Sequence, residues 1–167
     1  MPLYFSYGPN MDCAAMAARC PASKPLGLAH LARHRFIVTG DGYASVVRDP
    51  RRTVWGLLWD IAFADMPALD RYETVASGLY VKLSQPVIAS AGARRALIYV
   101  ARSQAAGQPR PGYLEGVLAA AREAGLPDDY LREIAALSPQ TATRQEAPPA
   151  KLPVRPLWSS PLAKDRG

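Results

Sequence analysis

A change of hydrophobic period near residue 110 limits the fold more than any other feature of this chain. Before it, apolar residues come in short runs at residues 3–7, 34–38, 44–47, 53–61, 79–83, 86–88 and 95–100. These runs are rich in the β-branched and aromatic residues that suit a pleated surface. Gly8-Pro9, Gly40-Asp41-Gly42 and Asp49-Pro50 punctuate them. From Gly112 onward, Tyr113, Leu114, Val117, Leu118 and Ala121 share one helical face, and Gly125 closes the helix. Pro127-Asp128-Asp129 then introduces a second helix at residues 130–137. Two short helices interrupt the strand region. One runs through residues 14–19, capped by Asn10 or Asp12 and stopped by Pro21; the other spans residues 65–72 with Pro67 in its first turn. Many strands followed by helices predict an α+β fold, a curved or barrel-like sheet with helices packed on it. Gly56, inside the strongest strand, marks a bulge or a close backbone approach.

The 167 residues suit one domain plus a tail, and suffice to bury a core without disulfides. The domain is expected at residues 1–138. Pro148, Pro149, Pro153, Pro156 and Pro161 predict an extended arm over residues 139–167, packed along the body through Leu157 and Trp158. The net charge is +6, and half of it falls after residue 143. Arg51-Arg52 and Arg94-Arg95 read as pairs in turns, without the interleaved aromatics of a nucleic-acid face, so no nucleic-acid partner is expected. Cys13 and Cys20 lie seven apart on one helix, about 10 Å along its axis, too far for a disulfide. No basic segment followed by a long apolar run marks a signal peptide, and the apolar stretch at residues 54–66 is broken by Gly56, Asp60 and Asp65. No membrane partner and a cytoplasmic location are therefore expected.

Nucleotide, hydrolase-elbow and zinc-protease motifs are missing, and His30 and His34 lack a third ligand, so no metal is expected. Two segments could carry chemistry. The strand-to-loop stretch Tyr4-Phe5-Ser6-Tyr7-Gly8-Pro9-Asn10-Met11 ends a strand at a glycine before a helix start, which turns backbone N–H groups outward toward an anion. Leu69-Asp70-Arg71-Tyr72-Glu73, followed by Gly78-Leu79-Tyr80, sets a carboxylate just past a helix end and facing strands, where burial would raise its pKa. Asp70 is expected to orient the turn or to pair with Arg71.

In order and spacing, these segments resemble the γ-glutamylcyclotransferase-like family. Tyr-Phe-x-Tyr-Gly-x-Asn-Met at residues 4–11 is similar to its entry motif. Trp55-Gly56-Leu57-Leu58-Trp59 is similar to its central strand, and Leu69-Asp70-x-x-Glu73 to the segment bearing its glutamate. Pro111-Gly112-Tyr113-Leu114 and Gly125-Leu126-Pro127 are similar to its closing helix and the turn after it. The resemblance spans residues 3–137 and departs at Pro9, where the family pattern has serine.

The resemblance implies a mixed, barrel-like sheet and a cofactor-independent enzyme. It would convert a γ-glutamyl amino acid or amine to 5-oxoproline and the free amine. By residue match Glu73 takes the acid-base role. Tyr4, Phe5, Ser6, Tyr7, Gly8, Pro9 and Asn10 form the substrate cradle, chiefly through backbone amides, and Tyr113 either contacts substrate or is a core aromatic. Two alternatives stand beside this reading: a related γ-glutamyl-lyase reaction on another acylated amine, and a non-catalytic small-molecule-binding module on the same fold.

Overall fold

The computed structural model describes residues 1–139. The arm expected beyond residue 138 lies, apart from Pro139, outside the described residues. Five strands, β1 (Leu3–Ser6), β2 (Lys24–Val38), β3 (Ala44–Asp60), β4 (Tyr80–Ala89) and β5 (Gly92–Ala101), close into a barrel in the order β1-β3-β2-β4-β5. The sheet is mixed: β1 meets β5 in parallel at Tyr4 and Leu97, and the other neighbours are antiparallel. The described helices are α1 (Cys13–Arg19), α2 (Met66–Tyr72), α3 (Tyr113–Glu123) and α4 (Asp128–Ala135). The barrel interior and the apolar face of α3 share one core, in which Phe5, Met16, Val54, Ile61, Leu69, Val87, Ile98, Val117 and Ile134 are fully enclosed.

The stop predicted at Asp49-Pro50 does not occur, and the runs at residues 79–83 and 86–88 form one strand. Asp49-Pro50 lies inside the continuous β3. The ladder to β2 jumps from Ala32↔Thr53 to His34↔Arg48, so residues 49–52 bulge out opposite Arg33, whose φ is 60°. In that bulge the missing N–H of Pro50 removes no ladder bond. Pro86 likewise lies within β4, which pairs with β2 only at Ile88 and Ala89. Pro86 therefore has a partner strand on one side alone, where a proline is tolerated. The arginine pairs expected in turns sit in strands: Arg51-Arg52 in the bulge of β3, and Arg94-Arg95 near the start of β5.

Gly56 marks a close approach. A Cβ there would lie 2.1 Å from the Ser6 carbonyl oxygen and 2.9 Å from the Phe5 ring. Only glycine lets β3 lie this near β1, and the approach holds β1 in the register that sets Tyr4 and Tyr7 above the barrel.

Asp12 caps α1 by accepting from the Ala15 N–H at 3.0 Å. Cys13 is exposed, Cys20 is buried, and both are free thiols. Asp65 stands at the N-cap of α2 but reaches elsewhere, accepting from the Ala22 N–H and the Ser23 hydroxyl. It thereby ties the turn after α1 to the start of α2. Among the described residues, no helix is long and apolar enough to cross a membrane.

Candidate active site

Glu73 owes its place to the way α2 stops. Its N–H closes on the Leu69 carbonyl, and the chain then turns left-handed at Thr74, φ 51°. Thr74 N–H bonds the Arg71 carbonyl and Val75 N–H bonds that of Asp70, the paired bonds of a Schellman end. A β-branched residue in that conformation is strained by about 1 kcal/mol or more. The Thr74 hydroxyl, donating to the Glu73 carbonyl oxygen at 2.8 Å, helps hold the turn. The result is a half-buried carboxyl directed back over the barrel mouth toward β1.

There Glu73 Oε1 accepts two hydrogen bonds, from Asn10 Nδ2 at 2.8 Å and from the Tyr4 hydroxyl at 3.2 Å. Asn10 Nδ2 also donates to the Tyr4 hydroxyl oxygen at 3.1 Å, closing a triangle. Among the described residues Oε2 accepts no bond, so it is the oxygen left for an incoming group. Burial pushes the Glu73 carboxyl up to about 7, and the Tyr4 hydroxyl, the Arg19 charge and the Asn10 amide pull part of the way back. The surrounding hydroxyls of Tyr4, Tyr7, Tyr80, Tyr99 and Tyr113 are all pushed up by burial and stay neutral. A carboxyl poised near neutrality can both take and return a proton.

Glu73 stands where a narrow cleft of about 30 Å³ meets an outer pocket of about 290 Å³. The cleft holds roughly one water-sized group and is lined by Tyr4, Tyr7, Gly8, Asn10 and Tyr99 among others. The outer pocket is walled by the rings of Tyr43, Tyr72, Tyr80 and Tyr113 with Leu79. Tyr113 faces both: its hydroxyl accepts from the Ala44 N–H at 3.0 Å, which leaves its own hydrogen to donate. The Tyr113 hydroxyl also lies 3.7 Å from where a Cβ on Gly8 would stand.

The entry loop is a short 3-10 turn, Pro9–Met11, with Pro9 in its first position, where a missing N–H breaks no bond. Met11 N–H is taken by the Gly8 carbonyl at 3.1 Å, whereas Gly8 and Asn10 N–H have no acceptor among the described residues. Two backbone donors therefore remain on residues that line the cleft.

Of the residues predicted for the site, Glu73, Tyr4, Tyr7, Gly8, Pro9, Asn10 and Tyr113 all line the cleft. Phe5 and Ser6 do not. Phe5 is fully buried against Gly56, and the Ser6 hydroxyl is held between the Leu57 carbonyl and the Trp59 indole. A strand alternates its faces, so Tyr4 and Phe5 cannot both look the same way. Asp70 does not pair with Arg71; it accepts both Lys82 Nζ bonds, at 2.7 and 2.8 Å, and the Tyr99 hydroxyl.

The sequence reading did not single out Tyr43, Tyr99 or Arg19. Tyr99 reads as an ordinary strand aromatic, and Arg19 as a cation in the last turn of a helix, where the helix dipole favours it. Nothing local distinguishes either.

The closed mixed barrel is the γ-glutamylcyclotransferase-like fold. The comparisons agree. The AIG2-like family matches residues 53–134, from β3 to α4. Gamma-glutamylcyclotransferase of Homo sapiens is 26% identical over 152 residues, covering 84% of this chain and 81% of that protein. The Mus musculus protein of the same name is also 26% identical, over 82% of this chain and 79% of its own length. A solved gamma-glutamyl cyclotransferase superposes with a TM-score of 0.76 at 26% identity, over 83% of this chain and 88% of the other. In sequence and in fold the chain is similar to the γ-glutamylcyclotransferase-like, AIG2-like family.

Proposed function

We propose that the protein is a γ-glutamylcyclotransferase-type enzyme, releasing 5-oxoproline and a free amine from a γ-glutamyl amino acid or amine. The observation that carries this reading is the Glu73 carboxyl: one oxygen saturated by Asn10 and Tyr4, the other open to the cleft, and a pKa near 7.

The chemistry follows from that arrangement. Glu73 Oε2 takes a proton from the substrate's α-ammonium. The freed amine attacks the γ-carbonyl carbon of the same molecule, and a five-membered ring closes. Because the reaction is intramolecular, holding the chain folded supplies much of the acceleration. The carbonyl oxygen becomes an oxyanion, for which the Gly8 and Asn10 N–H groups and the Tyr113 hydroxyl are the available donors. As the intermediate collapses, the C–N bond to the leaving amine breaks and Glu73 returns its proton to that nitrogen; the freed carboxylate then relays the second proton of the ring nitrogen to the departing amine, which leaves as an ammonium. These steps draw on protein groups alone.

The test is a panel of γ-glutamyl dipeptides and γ-glutamyl amines, with 5-oxoproline measured by chromatography. At least one member is expected to turn over, with kcat/KM rising with pH through an acid limb near 7, where Glu73 loses its proton. Substrates that bind without turnover would favour the non-catalytic module. An active enzyme whose acid limb lies near 4.5, the ordinary glutamate value, would remove Glu73 from the role.

A further inference from the structure

Arg19 touches neither the cleft nor the outer pocket, yet it is joined to Glu73 through one side chain. It stands in the last turn of α1, its guanidinium stacked on the Tyr72 ring with Cζ 3.4 Å from the centroid. Its Nη1 donates to Asn10 Oδ1. Asn10 is only 2% exposed, and on the opposite side its Nδ2 donates to Glu73 Oε1.

We infer that Arg19 is a positioning residue, which fixes the Asn10 amide so that Glu73 presents a single free oxygen to the substrate.

The argument is one of donors and acceptors. A primary amide has an oxygen end and an NH₂ end, and rotating it by half a turn exchanges them. A guanidinium can only donate, so it selects the orientation with Oδ1 toward α1. That selection aims Nδ2 at Glu73 and Tyr4. In the other orientation Oδ1 would face the carboxylate, two acceptors in contact with no hydrogen between them. A buried mismatch of that kind is costly, and Glu73 would turn away to relieve it. The stacking on Tyr72 matters for the same reason. Tyr72 is the last residue of α2 and Glu73 follows it directly, so one guanidinium holds both the helix end that carries the carboxyl and the amide that orients it.

Charge adds to geometry. The tyrosines that face Glu73 from the other elements, Tyr4 on β1, Tyr80 on β4, Tyr99 on β5 and Tyr113 on α3, are neutral. Arg19 is the charged group whose field bears on Glu73, and it favours the ionised form.

This inference rests on the cyclotransferase reading for its kinetic consequence, but its test does not. In protein labelled with ¹³C-glutamate, the Glu73 carboxyl resonance is titrated in the parent, in Arg19→Met and in Arg19→Lys, with Glu73→Gln assigning the signal. Met keeps a long apolar stem against Tyr72 and loses donor and charge; Lys keeps a charge and a single-point donor. The Glu73 titration is expected to move up by about one pH unit in Arg19→Met, the low end of what a neighbouring arginine is worth, and to return most of the way in Arg19→Lys. On the best substrate of the panel, the acid limb of Arg19→Met should move by the same amount while KM changes less than kcat. A Glu73 titration in Arg19→Met that coincides with the parent's would overturn the inference. So would a loss of thermal stability with both variants titrating alike, which would make Arg19 a packing residue. If no substrate of the panel turns over, the cyclotransferase reading fails while the titration still decides the role of Arg19.

Discussion

Replacing Glu73 with glutamine is expected to lower turnover by about 10²-fold or more, the usual worth of a general acid-base group, while leaving KM nearly unchanged. The hydrogen bonds dictate this. Asn10 and Tyr4 both donate to Oε1, so the carbonyl oxygen of a glutamine takes that place and its NH₂ takes the place of Oε2. That NH₂ can donate but cannot accept the proton of an ammonium. The shape of the cleft is kept, and so are the backbone donors of Gly8 and Asn10. The same substitution should stabilise the fold at alkaline pH. The folded-state pKa of Glu73 lies above its ordinary 4.5, at about 7. Its raised pKa therefore favours folding fully below about 4.5, and that contribution is lost as pH rises through about 7. Glutamine never ionises. The melting temperature of the variant should therefore exceed the parent's increasingly between pH 4.5 and 7, by an amount that levels off above. Melts across pH, with 5-oxoproline release measured on the same preparations, check both halves. A variant with near-parental turnover would sink the mechanism.

The second large effect is on the fold. Gly56→Ala is expected to destabilise by about 3 kcal/mol, the cost of overpacking where the obstacle is backbone, or roughly 10 °C in melting temperature for a chain of this size. The new methyl would meet the Ser6 carbonyl oxygen at 2.1 Å, and a main-chain atom held in a ladder cannot swing aside. Relief requires β1 to move off β3. The Ser6 hydroxyl would then part from the Leu57 carbonyl and the Trp59 indole, and Tyr4 would shift relative to Glu73. Activity should fall together with stability. Urea or thermal melts decide the matter; an alanine variant that melts with the parent would show that β1 and β3 can separate without loss.

These effects differ in how far the sequence announced them. Gly56 sits in a run of large residues, Val54-Trp55-Gly56-Leu57-Leu58-Trp59, and a lone glycine there signals close backbone contact without naming the partner. Ser6, fifty residues away, became that partner only when β1 paired with β3. Glu73 was legible as a carboxylate just past a helix end, because Pro67 starts α2 and the apolar pattern lapses after Tyr72. Its left-handed stop was not legible, since Thr74 has a side chain that ordinarily avoids that conformation. The two strands predicted as broken failed for a related reason. Proline disrupts a strand by what it fails to bond, and at Pro50 and Pro86 the ladder has a bulge or an open side.

What the sequence determined alone was the inventory: an N-terminal strand ending at glycine, a helix ending at a glutamate, a late tyrosine on a helix start, and a strand-then-helix order that makes a barrel with helices packed on it. Such properties are local or periodic, so neighbours along the chain suffice to specify them. Only the tertiary structure decided what each group meets. It turned Tyr4 into the cleft and Phe5 away, gave Asp70 to Lys82, brought Tyr99 across from β5, and hung Arg19 on Asn10 behind the carboxyl. The hydrogen bonds among them join residues 9 to 69 positions apart. The pKa of Glu73 follows from the same closure, because a carboxyl is shifted by the water it loses and the donors it gains, and both come from other elements of the fold.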